Sequence, residues 1–338
     1  MGVKYTGSNM HIGTEDDQMQ TFAEFVRYAT LAPSGHNTQP WKFSITGDCI
    51  RIFPDFTRAL PVVDPDNREL YISLGCALEN LVIAAKCAGY DPEVKYFPAG
   101  ESDECLSVTL KHSNVTGDNN LFRAISRRHT NRREYDKQQI PAADLTKIES
   151  VPTEEGVTSL VLTDPGGIKE IIDLVREGNR IQMNDGAFMD EITSWIRFND
   201  SEAESHLDGL TSRAMGRSPA PGWLGRMFMR VFVGAKSQSK TDEKNIRSSS
   251  ALMVIISEKN DKKSWIDVGR SFERIALTLT TLGIENAHLN QPCEVPELKN
   301  QLQQQLALGS AHPQLLLRIG YAEPLPRSPR RPYQQVLI

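Results

Sequence analysis

Apolar positions recur along the chain with two periods. Phe22, Phe25, Val26 and Ala29 share one face of a helix predicted over 20–32, which Pro33 ends. A longer helical pattern covers 66–88, where Leu70, Leu74, Ala77, Leu81, Ala84 and Ala88 alternate at steps of four and three. Asp66 stands where a cap can open this helix, and Gly89 where a C′ glycine closes one. Val268, Phe272, Ile275, Leu279 and Leu282 predict a third helix over 265–282. Shorter helices are predicted at 121–133, ending in arginines, and at 168–184. Strands are predicted at 41–45, 105–110 (CLSVTL), 251–256 (ALMVII, a buried strand) and 314–319 (QLLLRI). The segment 185–245, rich in Met, Trp, Phe, Gly and Pro, carries no long period.

The two clean helices resemble each other. LGCALENLVIAAKCAGY from Leu74 and VGRSFERIALTLTTLGI from Val268 align Gly75 with Gly269, Glu79 with Glu273 and Gly89 with Gly283 at one offset of 194. A glycine inside a helix costs ~1 kcal/mol against alanine, so its presence in both points to close packing. An internal duplication is therefore expected.

A chain of 338 residues has room for two domains, and 39% hydrophobic residues suffice for a sizeable core. The net charge of −5 gives no general field for nucleic acid. The five cysteines are scattered, with no C-x-x-C, which fits a reducing compartment and not a disulfide framework. No apolar leader and no run of ~18 apolar residues is visible, so the expectation is a cytoplasmic protein with no membrane and no nucleic acid as partner. Phosphate-loop, dinucleotide, nucleophile-elbow and metal-ligand spacings are absent, so no catalytic side chain and no metal site is assigned. Lone histidines such as His36 and His288 are read as structural.

Two features remain. Arginine concentrates in SRRHTNRREY (Arg127, Arg128, Arg132, Arg133) and in the tail (Arg318, Arg327, Arg330, Arg331). Several guanidinium groups beside a hydroxyl such as Thr130 suit a phosphate dianion, although charge alone favours a solvated face. The loop LAPSGHNTQPWKF, Leu31 to Phe43, packs short polar residues between two apolar segments. Such residues make turns and leave backbone N–H groups available to a ligand.

Together these motifs resemble the flavin-dependent nitroreductase family. APSGHNTQPWKF at 32–43 resembles its A-P-S-x-x-N-x-Q-P-W loop, RHTNR at 128–132 its arginine phosphate motif, and RIGYAEPLPRSPRRP its closing strand and tail. NRELYISLGCALENLVIAAKCAGY, GLT at 209–211 and HLNQPCE at 288–294 are similar to the subgroup named after the mycobacterial Acg protein. The resemblance runs from about residue 20 to 335 and is weakest over 145–245.

It implies an α+β, nitroreductase-like fold, with mixed but largely antiparallel sheets flanked by helices and duplicated within one chain. The first half would be 1–115. The second would be 116–338 with a lid-like insertion at 185–245, and the two would form one compact unit. The loop lies in the first half and the arginine motif and tail in the second, so the chain looks like a fused pseudo-dimer with one complete flavin site, compatible with a monomer. The resemblance implies FMN as cofactor, with Pro33, Ser34, Gly35 and Asn37 at the ring and Gln39 also cofactor-binding. Arg128, Thr130, Arg132, Arg327, Arg330 and Arg331 would hold the phosphate, and Asn290 and Gln291 would sit at the ring's reactive edge. NAD(P)H would donate electrons to a small acceptor, nitroaromatic or quinone, in a ping-pong cycle. The alternative is a lidded protein that sequesters or senses FMN with little turnover. Trp195, Trp223, Phe228 and several methionines would form that lid or extend the core.

Overall fold

Two 20-residue helices cross at paired glycines, and the rest of the chain is arranged around that crossing. The computed structural model describes residues 15–100 and 105–338. The first residues, where a leader was sought, lie outside them. In chain order the first half contains α1 (Glu15–Ala29), β1 (Trp41–Thr46), β2 (Cys49–Pro54), α2 (Arg68–Cys87), β3 (Tyr90–Tyr96) and β4 (Leu106–His112). Next come α3 (Asn119–Ile125), α4 (Ala142–Glu149), β5 (Val157–Leu162) and α5 (Pro165–Asn184). The segment 185–245 holds α6 (Gly186–Ser194), β6 (Ile196–Arg197), α7 (Asp200–His206), β7 (Leu210–Thr211), α8 (Gly222–Phe232) and most of α9 (Ala235–Arg247). The chain then forms β8 (Ala251–Ser257), α10 (Lys262–Thr281), β9 (Glu285–His288), α11 (Gln291–Glu294), α12 (Pro296–Gln305) and β10 (His312–Gly320).

Both main sheets are antiparallel and share one topology. Their strand orders are β1-β2-β4-β3 and β5-β8-β10-β9, with α2 between the second and third strands of the first and α10 in the same place in the second. The expected duplication is thus present in the topology. The parallel pairing is minor: β6 with β7, and a bridge between Phe43 and Leu337.

α2 and α10 lie offset by 194 at both ends. A Cβ on Gly75 would lie 2.1 Å from the Ile266 carbonyl oxygen, and one on Gly269 would lie 2.0 Å from that of Ile72. Each glycine admits the other helix's backbone, a reciprocal contact with the symmetry of a two-fold axis. The core on either side combines Leu74, Leu78 and Phe272 of these helices with Trp41, Phe43 and Ile52 of one sheet and Met253, Ile255 and Leu317 of the other. β8 is buried on both faces, because α5 and α12 cover its second side through Ile171, Val175, Leu298 and Leu302.

Some boundaries differ from the sequence reading. Asn67, not Asp66, stands at the N-cap of α2, and Asp64 accepts the Leu70 N–H at 3.0 Å. Gly89, at φ +82°, is the left-handed residue after the helix, as expected. α2 is long and apolar enough to cross a membrane by composition, but 89% of its apolar window is buried in the core. The helix expected over 121–133 stops at Ile125. The Asn131 N–H donates to the Asn286 carbonyl (2.9 Å) and the Asn131 side chain to Glu323 (3.0 Å), so tertiary bonds take the groups a continuing helix would use.

Candidate functional site

The tail brings the halves together. After β10 it runs back over the first half, where the Phe43 N–H donates to Val336 (2.7 Å) and the Ile338 N–H to Phe43 (2.8 Å). This path carries Arg327, Arg330 and Arg331 to the loop after α1.

That loop contains three non-glycine residues in the left-handed region: His36 (φ 45°), Asn37 (56°) and Gln39 (54°). Such backbone needs support from outside. Asn37 Nδ2 donates to the carbonyls of Gly209 (3.0 Å) and Pro329 (3.2 Å), while its Oδ1 accepts from Arg330 Nη1 (2.8 Å). Gln39 Nε2 donates to Leu207 (2.9 Å), and its Oε1 accepts the Arg331 N–H (2.8 Å). Ser34 Oγ accepts the Gln39 N–H at 2.9 Å. Arg58 reaches both the Thr38 carbonyl and Asp208, which also pairs with Arg197 at 2.6 Å. The loop is thus fastened to both the tail and the 207–209 turn.

Two cavities adjoin it. The larger, about 390 Å³, lies between the loop, α2, β9–α11 and the 185–245 segment, a size in the range of small-molecule sites. The smaller, about 90 Å³, is lined by Arg128, Arg132, Arg327 and Arg330. Pro33, Ser34, Thr130, Arg132 and Leu210 line both, so the two are contiguous. Gly35, Asn290 and Gln291 face the larger cavity, and Asn37 the smaller. Gln39 and Arg331 line neither; they brace the loop from behind.

The arginine pocket is electrostatically unbalanced. Arg128 Nη2 donates to the Leu31 carbonyl, but its Nε and Nη1 have no hydrogen-bond partner, and Glu273 lies 3.4 Å away without hydrogen-bond geometry. The Nε of Arg330 is also unpartnered. Burial, then the neighbouring Arg128, pushes the Arg330 guanidinium down to about 9. Burial and Arg318 bring Arg132 down to about 10. Arg327 donates to the Ser126 carbonyl and is also lowered, first by burial. Burial lifts Glu273 to about 7 against the pull of Arg128.

The larger cavity also holds Glu69, Glu294 and Asn179, to which the sequence assigned no role. Glu69 accepts from Asn290 Nδ2 (3.2 Å) and pairs with Arg68 (3.1 Å). Glu294 accepts from Gln182 Nε2 at 2.6 Å and is hydrogen-bonded to Glu69. Burial and the Glu69 charge push Glu294 up to about 8. Burial drives His288 down to about 4, and the Nδ1 atoms of His36 and His288 have no partner. Gln291 Nε2 donates to Asn179 Oδ1 at 3.1 Å, leaving its Oε1 unpartnered. Arg318, 2% exposed, stacks on Tyr135 at 4.0 Å and also reaches the cavity wall. Glu69, Glu294 and Asn179 come from helices whose patterns reveal only their packing faces.

The 185–245 segment contributes Phe188, Ile196, Leu210, Met215 and Met229 to the wall. Trp223 and Phe228, expected on the same face, point outward instead, 70% and 50% exposed. Met229 and Gly225 occupy the inward side of α8, which leaves those rings no room within.

A duplicated α+β chain whose two halves share a cavity ending in an arginine pocket has the architecture expected of the nitroreductase-like fold. No protein-family model matches the chain. It is related along nearly its whole length to mycobacterial proteins named as NAD(P)H nitroreductases, names that assign the activity provisionally. One from Mycobacterium tuberculosis H37Rv is 26% identical over 96% of this chain and 93% of its own. The protein acg of the same strain is 25% identical over 92% and 93%. Among solved structures, an iodotyrosine deiodinase bound to FMN and 3-iodo-L-tyrosine is 15% identical, with a TM-score of 0.41, covering 62% of this chain and 95% of that one. A Bacteroides fragilis nitroreductase with bound FMN is 18% identical at a TM-score of 0.37, over 61% and 90%. These two likenesses are too loose to carry an argument; the sequence relatives place the chain beside the Acg-like nitroreductases.

Proposed function

We propose that the chain is an FMN-dependent oxidoreductase that draws electrons from NAD(P)H and passes them, in a ping-pong cycle, to a nitroaromatic, a quinone or a similar small acceptor. The contiguity of the two cavities carries this reading. A planar, mostly apolar ligand with a dianionic end fits a 390 Å³ cavity that opens into a 90 Å³ pocket lined by four arginines. The unpartnered N–H groups of Arg128 and Arg330 are what a phosphate would satisfy. The bound flavin would supply two-electron chemistry. The chain's own residues would hold and shield it: Arg128, Thr130, Arg132, Arg327 and Arg330 at the phosphate, and Pro33, Ser34, Gly35, Asn290 and Gln291 along the ring. Asn37, Gln39 and Arg331 would fix the loop. The halves would be 1–115 and 116–338, with 185–245 inserted, and a monomer would be complete.

The second reading, a flavin-holding protein with little turnover, draws on the wall that Phe188, Met215 and Met229 build over the larger cavity. A visible spectrum of the purified protein under anaerobic titration with NADPH and then NADH separates the two. Bleaching within seconds supports the reductase, whereas a yellow protein that only dithionite bleaches supports the holding role. A colourless protein that takes up no FMN removes both.

A further inference from the structure

α8 turns a narrow strip inward. Met229 is buried, and a Cβ on Gly225 would lie 2.1 Å from the Phe198 ring. Its other face leaves Trp223 70%, Leu224 38% and Met227 47% exposed, with Phe228 half exposed beside them. These positions lie one turn apart on a single stripe. Trp41 and Trp265, by contrast, are 0% and 7% exposed. Contiguous exposed apolar surface of this kind marks an interaction site.

The charge around the stripe narrows the choice of partner. From Gly209 to Thr241 the chain carries Arg213, Arg217, Arg226, Arg230, Lys236 and Lys240 and no Asp or Glu, within a protein of net charge −5. Arg213 and Arg226 pair with Asp200 and Glu202. Arg217, Lys236 and Lys240 are exposed and have no ion pair among the described residues. An apolar stripe led by tryptophan and flanked by uncompensated cations is the pattern of a helix that lies in the plane of a membrane surface. The lack of a run of ~18 apolar residues bears on spanning segments alone; an interfacial helix needs only one wetted apolar face.

We propose that α8 seats this chain on an anionic lipid surface, with Trp223, Leu224 and Met227 entering the headgroup layer and Arg217, Lys236 and Lys240 meeting lipid phosphates. Because Met229 of the same helix lines the larger cavity, docking sets that cavity beside the lipid. Access of a lipid-soluble acceptor from that side would follow, a consequence that rests on the oxidoreductase reading; the docking itself does not.

The test is co-sedimentation of the full chain with phosphatidylglycerol and with phosphatidylcholine vesicles, alongside tryptophan emission. Binding to the anionic vesicles, a blue shift lost in Trp223→Ser, and weakening by added salt are expected. Each cation near such a surface is worth about fivefold in affinity, so R217Q/K236Q/K240Q together should weaken binding ~100-fold. Three results would overturn the proposal: no binding, equal binding to both lipids, or a concentration-dependent dimer that Trp223→Ser abolishes. The last would assign the stripe to a second copy of the chain. Far-UV circular dichroism of each variant confirms that it folds.

Discussion

Replacing Arg330 by methionine should move stability and flavin affinity in opposite directions. In the protein without a bound anion, burial and Arg128 hold the Arg330 guanidinium down to about 9, against an ordinary value of 12.5. A cation whose folded pKa is depressed disfavours folding at every pH below that value and is relieved as pH rises through it. The gap between 12.5 and about 9 corresponds to at most ~5 kcal/mol at neutral pH. Methionine keeps much of the volume and removes the charge. It also loses the Nη1 bond to Asn37 Oδ1 (2.8 Å) and weaker contacts to Ser328 and Pro329, costing ~1–3 kcal/mol. The net gain for the apoprotein should be at most ~2–4 kcal/mol, a rise in Tm of up to roughly 3–6 °C by differential scanning calorimetry. FMN affinity should fall ~10- to 100-fold by fluorescence titration, since a charge-assisted contact to phosphate is lost. A lower apoprotein Tm with unchanged FMN affinity would make Arg330 a brace for Asn37 and nothing more, and the phosphate assignment would fail at this residue.

Other perturbations test separate parts of the argument. Gly75→Ala or Gly269→Ala drives a methyl into a backbone carbonyl at about the helix crossing and should cost at least ~3 kcal/mol in urea denaturation; a loss under 1 kcal/mol would mean that the helices separate easily. Glu273, raised to about 7 when folded, contributes most below the unfolded carboxylate range and loses that contribution as pH rises toward 7. Glu273→Gln should therefore flatten the apoprotein's decline in stability between pH 4.5 and 7, worth up to ~3 kcal/mol, and an unchanged slope would contradict the raised value. Asn37→Ala removes the bonds to the Gly209 and Pro329 carbonyls and the one accepted from Arg330, and should cost ~2 kcal/mol. Faster amide exchange in 34–39 and 207–211 should accompany it; exchange unchanged in the second stretch would deny the link between loop and insertion.

The sequence made the long helices legible because period, glycine stop and length agree in each. It made the arginines and the loop legible as clusters. It did not show that the helix ends at Ile125, because the bonds that hold Asn131 come from Asn286 and Glu323, far along the chain. Nor did it show Glu69 against Glu294, since each sits on a helix whose packing residues dominate the pattern. The strands β2 and β3 were missed because their short alternation of buried and exposed positions is weak beside the helical signal. Trp223 was misplaced for a related reason: composition marked the residue as fit for a lid, and only the packing of Gly225 on Phe198 decides which way α8 faces.

The duplication lets the candidate site be compared with the corresponding place in the other half. With the offset of 194, Glu69, Ser73 and Cys76 of α2 face the larger cavity, and Lys263, Asp267 and Arg270 of α10 stand at their mates. Those three line a third cavity, of about 970 Å³, at the corresponding place. There the charges cancel. Lys263 pairs with Asp267 at 2.6 Å, Arg270 with Glu79 at 2.9 Å and Glu154 at 3.1 Å, and Tyr96 donates to Asp267 at 2.8 Å. Glu79 is further held by Arg274, which stands at the mate of Asn80. Its counterpart Glu273 pairs with Arg128 at 3.4 Å without hydrogen-bond geometry, and burial pushes its carboxyl up to about 7. A site that binds an anion must keep cations in want of partners, and a surface that only stabilises the fold pairs them. The same backbone therefore presents both solutions, and the difference lies in which arginines have been left unpaired.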